Sequence, residues 1–186
     1  RDGDALAFRR DVMDFTNCLL VEQPNGDFAQ TIARQLLFSH YQELLFTALT
    51  ASKNATIAAI AAKAVKETAY HATLASDWVI RLGDGTEESK ARMIAGLDWM
   101  WRFADELFVM DDVDAAAIKA GVGVDKAALR AAWDARIDAT LAEATLARPA
   151  PRRATTGGRI GRHSEHLGHL LSDMQFLQRA YPGATW

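Results

Sequence analysis

Apolar residues in this chain return at intervals of three and four, and runs of alternating β-branched residues are missing. That pattern confines the chain to packed helices. Asp27 stands as a cap before the first long run, so a helix is expected from about Phe28 to Ala51. Asn54 or Thr56 opens a second, which Gly-Asp-Gly at 83–85 stops. A third is expected from about Thr86 to Met110, with Glu87 and Glu88 favourable in its first turn. After a loop with one short helix (DDVDAAAIKAGVGV), Asp125 caps a fourth through about Leu146. A fifth runs from about Gly161 to Tyr181, ended by Pro182 and Gly183. Residues 1–27 read mostly as connection, with an apolar patch from Phe15 to Val21 and a turn at Asn25-Gly26. Residues 147–160 read as an exposed loop rich in Pro, Gly and Arg. The expected architecture is all-α, a bundle of long antiparallel helices forming one domain over 1–186.

Composition narrows the function classes. With 186 residues, 49% of them hydrophobic, the chain can bury a sizeable core. A net charge of -3 gives no electrostatic reason to expect nucleic acid or an anionic membrane. No apolar run approaches the roughly 20 residues of a membrane span. The single cysteine, Cys18, precludes an internal disulfide and fits a reducing, cytoplasmic setting. Phosphate loops, nucleophile elbows and cysteine–histidine pairs have no counterpart in the sequence.

The second helix carries KETAYH at 66–71. At about 100° per residue, Glu67 and His71 fall on the stripe of Ile57, Ile60, Ala61, Ala64, Leu74, Ala75 and Trp78, with Lys63 at its edge. A carboxylate and an imidazole expected to face the core need a metal, each other, or a counter-ion such as Lys63. A ferritin-type di-iron site takes Glu-x-x-His from two helices and a lone Glu from two others. Here the spacing is Glu-x-x-x-His, and Tyr70 holds the third position. The apolar side of the first helix (Leu37, Tyr41, Leu44, Leu45, Ala48) lacks a carboxylate. On the third helix Glu106 falls opposite the apolar stripe, and Asp98 and Asp105 only flank it. One half-site is legible and no second, so a buried polar pair is the preferred reading.

The last helix carries HSEHLGH at 163–169. His163, His166 and His169, three apart, fan around a helix instead of converging, which disfavours zinc. His163 falls near the apolar stripe of Ile160, Leu167, Leu171, Met174 and Tyr181. Glu165, His169, Asp173 and Phe176 share the far side, and an aromatic ring among charged groups suggests a face that meets another subunit. His40 has no partner spacing and reads as a surface or packing residue.

Three stretches go beyond periodicity: NCLLVEQPNGDFAQTIARQ at 17–35, AKAVKETAYH at 62–71 and HSEHLGHLLSDMQFLQR at 163–179. With DWMWRFADELF at 98–108, LRAAWDA at 129–135 and the ending YPGATW, they resemble the phenylacetic acid catabolic protein family over essentially the whole chain. Within it they are most similar to the structural, C-type subunits of the 1,2-phenylacetyl-CoA epoxidase. The resemblance implies a ferritin-like fold, truncated at its N-terminus, since family members usually open with further helices. It implies a non-catalytic subunit, without a cofactor of its own, that pairs with a catalytic subunit holding the two irons and works with a reductase in aerobic phenylacetate breakdown. By position it makes Glu67 and His71 the remnant of a metal centre and Lys63 a charge replacement. The alternative is a self-contained di-iron monooxygenase or ferritin-like oxidase, whose missing N-terminal helices would supply ligands.

Overall fold

The structure, a computed structural model, describes residues 2–184. All regular elements among them are helical, and no strand occurs. Seven α-helices follow one another: α1 (Gly3–Phe8), α2 (Phe28–Leu49), α3 (Ala55–Gly83), α4 (Glu87–Trp101), α5 (Asp112–Lys119), α6 (Arg130–Glu143) and α7 (Glu165–Ala180). None of the described helices is long and apolar enough to cross a membrane. The chain divides into two compact units, one from Asn25 to Ala154, the other built from residues up to Pro24 and from Thr155 on.

The Asn25–Ala154 unit is a helical bundle whose central pair is α2 and α3. Its helices start where short polar side chains cap them. Asp27 accepts from the Gln30 amide, Asn54 from the Thr56 and Ile57 amides, and Thr86 from the Ser89 amide. Ile32, Leu36 and Leu37 of α2, Val79 of α3, Met93 and Leu97 of α4, and Trp133 and Ile137 of α6 are buried together in this unit. Trp133 is fully enclosed, and its indole N–H donates to the Leu37 carbonyl at 2.9 Å. Gly96 lets α4 lie close to α2, because a side chain there would press 3.0 Å from the Ala29 carbonyl and the Gln30 backbone.

α6 begins at Arg130, after a 3-10 turn at Ala127–Leu129 that Asp125 caps, and three other helix ends also differ from expectation. α4 stops at Trp101 instead of about Met110. Phe103, Ala104, Leu107 and Phe108 are all buried, and the chain bends through a 3-10 turn at Asp105–Phe108 while burying them. α6 is released at Glu143, with Thr145 in the left-handed region (φ 57). α7 starts at Glu165, four residues late, because Gly161 is left-handed (φ 77) and His163 is engaged outside the helix. The short helix expected after Met110 is α5, closed by a reciprocal Asp111–Asp114 capping box.

The second unit joins the two chain ends. Residues read mostly as connection form α1 and two 3-10 turns, Val12–Asp14 and Leu19–Glu22. Leu19 and Leu20 are buried, as are Leu167, Leu171 and Gln175 of α7. Gln175 donates to the Ala7 and Arg10 carbonyls, both at 2.9 Å, which ties the N-terminal segment to α7.

Candidate functional site

The KETAYH stretch lies in the middle of α3, but the core-facing side of that helix is Ala61, Thr68, Ala72, Ala75 and Val79. Lys63, Glu67 and His71 are exposed. This corrects the expectation that Glu67 and His71 face the core. The apolar arc of α3 is wider than the part the unit covers. Its Ala61–Ala75 edge is buried, while Ile60, Tyr70 and Leu74, on the same side as Glu67, are 60%, 64% and 42% exposed. Periodicity sets the angle of the stripe but not which part of a broad stripe neighbouring helices reach.

Neither Lys63, Glu67 nor His71 makes a hydrogen bond or ion pair with any described residue; His71 has only an edge-on contact with its neighbour Tyr70. Lys63 therefore does not neutralise Glu67 as expected. Nor do the residues fit a di-iron centre: among the described residues, no group of three or more His, Cys, Asp or Glu side chains is placed to hold a metal ion.

A different glutamate–histidine pair is buried, in the unit built from the chain ends. His163 Nδ1 lies 2.6 Å from Glu22 Oε1, with side chains 3% and 0% exposed. Its Nε2 lies 2.8 Å from the Phe15 carbonyl, which can only accept, so Nε2 carries a proton. Asn17 Nδ2 donates to Glu22 Oε1 at 2.8 Å, and the Ser164 amide and hydroxyl both donate to Glu22 Oε2 at 2.8 Å. Ser164 occupies the N-cap of α7 yet makes no capping bond with its own side chain. Glu22 takes that role from 142 residues away and sets a carboxylate against the positive end of the helix. Gly158 is required here, since a side chain would overlap the Asn17 carbonyl. His163 thus stands ahead of α7, not on it, inside this network. With both nitrogens occupied by Glu22 and Phe15, it is not a free metal ligand. Sequence reasoning missed Glu22, and its one signal was a lone carboxylate closing the apolar patch that ends at Val21.

His40 is buried on α2, with Nε2 2.9 Å from Ser76 Oγ on α3. Thr140 Oγ1 of α6 lies 3.3 Å from the same hydroxyl. Burial, reinforced by the Arg136 charge, lowers the His40 pKa to about 4. The imidazole is therefore neutral at physiological pH. A serine and a histidine at this distance resemble a nucleophile and its base, but His40 Nδ1 has no partner to orient it. Neither the groove along α7 nor the one beside Phe28 and Arg92 is lined by these residues. The arrangement serves packing across three helices.

The arginines of the 147–160 loop are anchored at its start. Arg148 pairs with Asp134 and Asp138, and Arg152 with Asp98 at 2.6 Å. On α7, Glu165, His169, Asp173 and Phe176 are all exposed, Phe176 at 65%.

The profile of a family described as "Phenylacetic acid catabolic protein" matches residues 1–186. A relative from Escherichia coli (strain K12), named as the C subunit of 1,2-phenylacetyl-CoA epoxidase, is 48% identical over 185 residues, covering 100% of this chain and 75% of the relative. An all-helical chain, matched by the family profile over its whole length, belongs to the phenylacetic acid catabolic protein family.

Proposed function

We propose that this chain is a non-catalytic, cytoplasmic structural subunit of a multicomponent phenylacetyl-CoA epoxidase, pairing with a di-iron catalytic subunit in aerobic phenylacetate breakdown. The observation that carries the reading is 48% identity along the whole chain to a protein named as the C subunit of that enzyme. Similarity that spans every helix, not one motif alone, argues for the same kind of subunit. The ligand geometry supports it: Glu67 and His71 are one turn apart on α3 and exposed, and although Glu106 is buried, contrary to its expected place opposite the apolar stripe, no group of three or more metal-ligating side chains forms among the described residues.

The residues present do not fit a di-iron group, so no reaction step is derived for this chain. Its contribution is a surface that the catalytic subunit uses. Glu67 and His71 are the remnant of a metal centre, and Lys63 one turn earlier is a cation on the same exposed surface. An ammonium offsets carboxylate charge but cannot bind oxygen.

Iron content tests the reading. The chain purified alone after iron loading is expected to hold no stoichiometric iron, and to co-purify with the iron-bearing catalytic subunit when the two are produced together. About two bound irons per chain, the number a ferritin-type centre holds, would overturn it in favour of a self-contained di-iron enzyme.

A further inference from the structure

A groove on the unit built from the chain ends runs along α7, with a volume of about 540 Å³. Asp11, Gly168, Ser172, Gln175, Phe176 and Arg179 are among the residues that line it. Its polar floor is already satisfied. Gln175 is held by its own hydrogen bonds, and Arg179 donates to Asp11 Oδ1 at 2.8 Å and to Gln175 Oε1 at 3.0 Å. The floor therefore does not ask for a small charged ligand. What is left unsatisfied is apolar surface and the charge on the lip.

Gly168 has no reason to be glycine within this chain. It sits inside a helix, where glycine costs about 1 kcal/mol relative to alanine, and a side chain there would meet nothing within 4 Å. A missing side chain beside an exposed ring, over open space, is what close approach by another backbone requires. Phe176, two turns further along α7, lines the same groove and offers a large apolar anchor.

Charge selects the occupant. Glu165, His169 and Asp173 do not line the groove but follow one another at intervals of four on the side of α7 that carries Phe176, a lip beside it, and both carboxylates lack an ion-pair partner among the described residues. A second copy of this chain docked symmetrically about His169 would set Glu165 against Asp173, carboxylate against carboxylate. A different chain presenting Lys or Arg beside an apolar stripe would find both needs met.

We propose that the α7 groove, with Gly168 at its floor, Phe176 as anchor and Glu165 and Asp173 on its lip, is the docking surface for a basic-flanked amphipathic helix of the catalytic subunit. The inference rests on the proposed pairing and adds its location. Close packing fixes the helix at Gly168, burial of Phe176 supplies the anchor, and the two carboxylates steer and orient the approach.

The test is the affinity of the full-length chain for the purified catalytic subunit, read by calorimetry, together with the oligomeric state of the chain alone. Phe176→Asp is expected to weaken binding by about thirtyfold or more, in the range of an interface anchor. Gly168→Ala is expected to weaken binding about tenfold while raising the melting temperature, a pairing of effects that mere misfolding cannot give. Glu165→Lys with Asp173→Lys should slow association, most strongly at low salt. Met174→Asp, on the side of α7 away from Phe176, serves as the control and should bind as the parent chain does. If the parent chain binds and Phe176→Asp binds equally well, or only Met174→Asp fails, the groove is not the interface and this inference alone falls. If the groove variants instead dissolve a dimer of this chain, the occupant is a second copy and the assignment is overturned. If the parent chain does not bind the catalytic subunit at all, the proposed function falls first and this inference with it.

Discussion

Glu22 with His163 and Glu67 with His71 join the same two side-chain chemistries in opposite settings. The first pair is separated by 141 residues, enclosed, and held at 2.6 Å by donors and acceptors on every side. The second is one turn apart on a single helix, exposed, and without a hydrogen bond to any described residue. Nearness in sequence makes a motif conspicuous, whereas nearness in the folded chain makes an interaction. A buried carboxylate has to be matched by hydrogen-bond partners, and Glu22 has donors in Asn17 and the Ser164 amide and hydroxyl, with His163 Nδ1 2.6 Å away. An exposed one is matched by water, so the sequence around Glu67 is free to carry any residue a partner surface prefers.

The contrast predicts unequal costs. His163→Ala leaves the Glu22 carboxylate enclosed without its main partner and should destabilise the chain-end unit by about 3–5 kcal/mol. Faster hydrogen exchange of the α7 amides would report it, and exchange like that of the parent chain would contradict the buried-pair account.

His40 sharpens the comparison, since it is buried without a carboxylate. Its folded pKa of about 4 lies below the ordinary 6.5, so the unfolded chain takes up a proton first as pH falls. Its contribution to stability is therefore full above pH 6.5 and lost progressively down to about pH 4, a total of about 3 kcal/mol. Urea midpoints of the parent chain should decline across that window, and His40→Gln should flatten the decline. An identical slope in the variant would place the titration elsewhere.

The smallest effects belong to the exposed pair. Lys63→Ala and Glu67→Gln should each change the melting free energy by less than about 0.5 kcal/mol, the usual range for surface positions. A loss of several kcal/mol from Lys63→Ala would mean that the two do form a buried ion pair.

Much of the fold was legible because caps and breakers are local. Asp27, Asn54 and Thr86 cap the helices they were expected to open, and the stop after Gly83 falls where Gly-Asp-Gly places it. The end of α4 was not legible, because it depends on burying Phe103, Ala104, Leu107 and Phe108 together, which is a tertiary demand. The exposure of Glu67 and His71 was hidden for a related reason: a broad apolar arc on α3 does not say which edge its neighbours cover. Glu22 could not be assigned to His163 at all, since no spacing rule links residues at opposite ends of a chain.

Turnover by the reconstituted epoxidase is the most direct measure of whether this chain supplies any catalytic ligand. Combining the catalytic subunit and its reductase with a Glu67→Ala, His71→Ala double variant of this chain should give phenylacetyl-CoA turnover equal to that with the parent chain. A fall of about a hundredfold or more, the scale expected when a catalytic group is removed, with the complex still assembled, would contradict the structural role proposed for this protein.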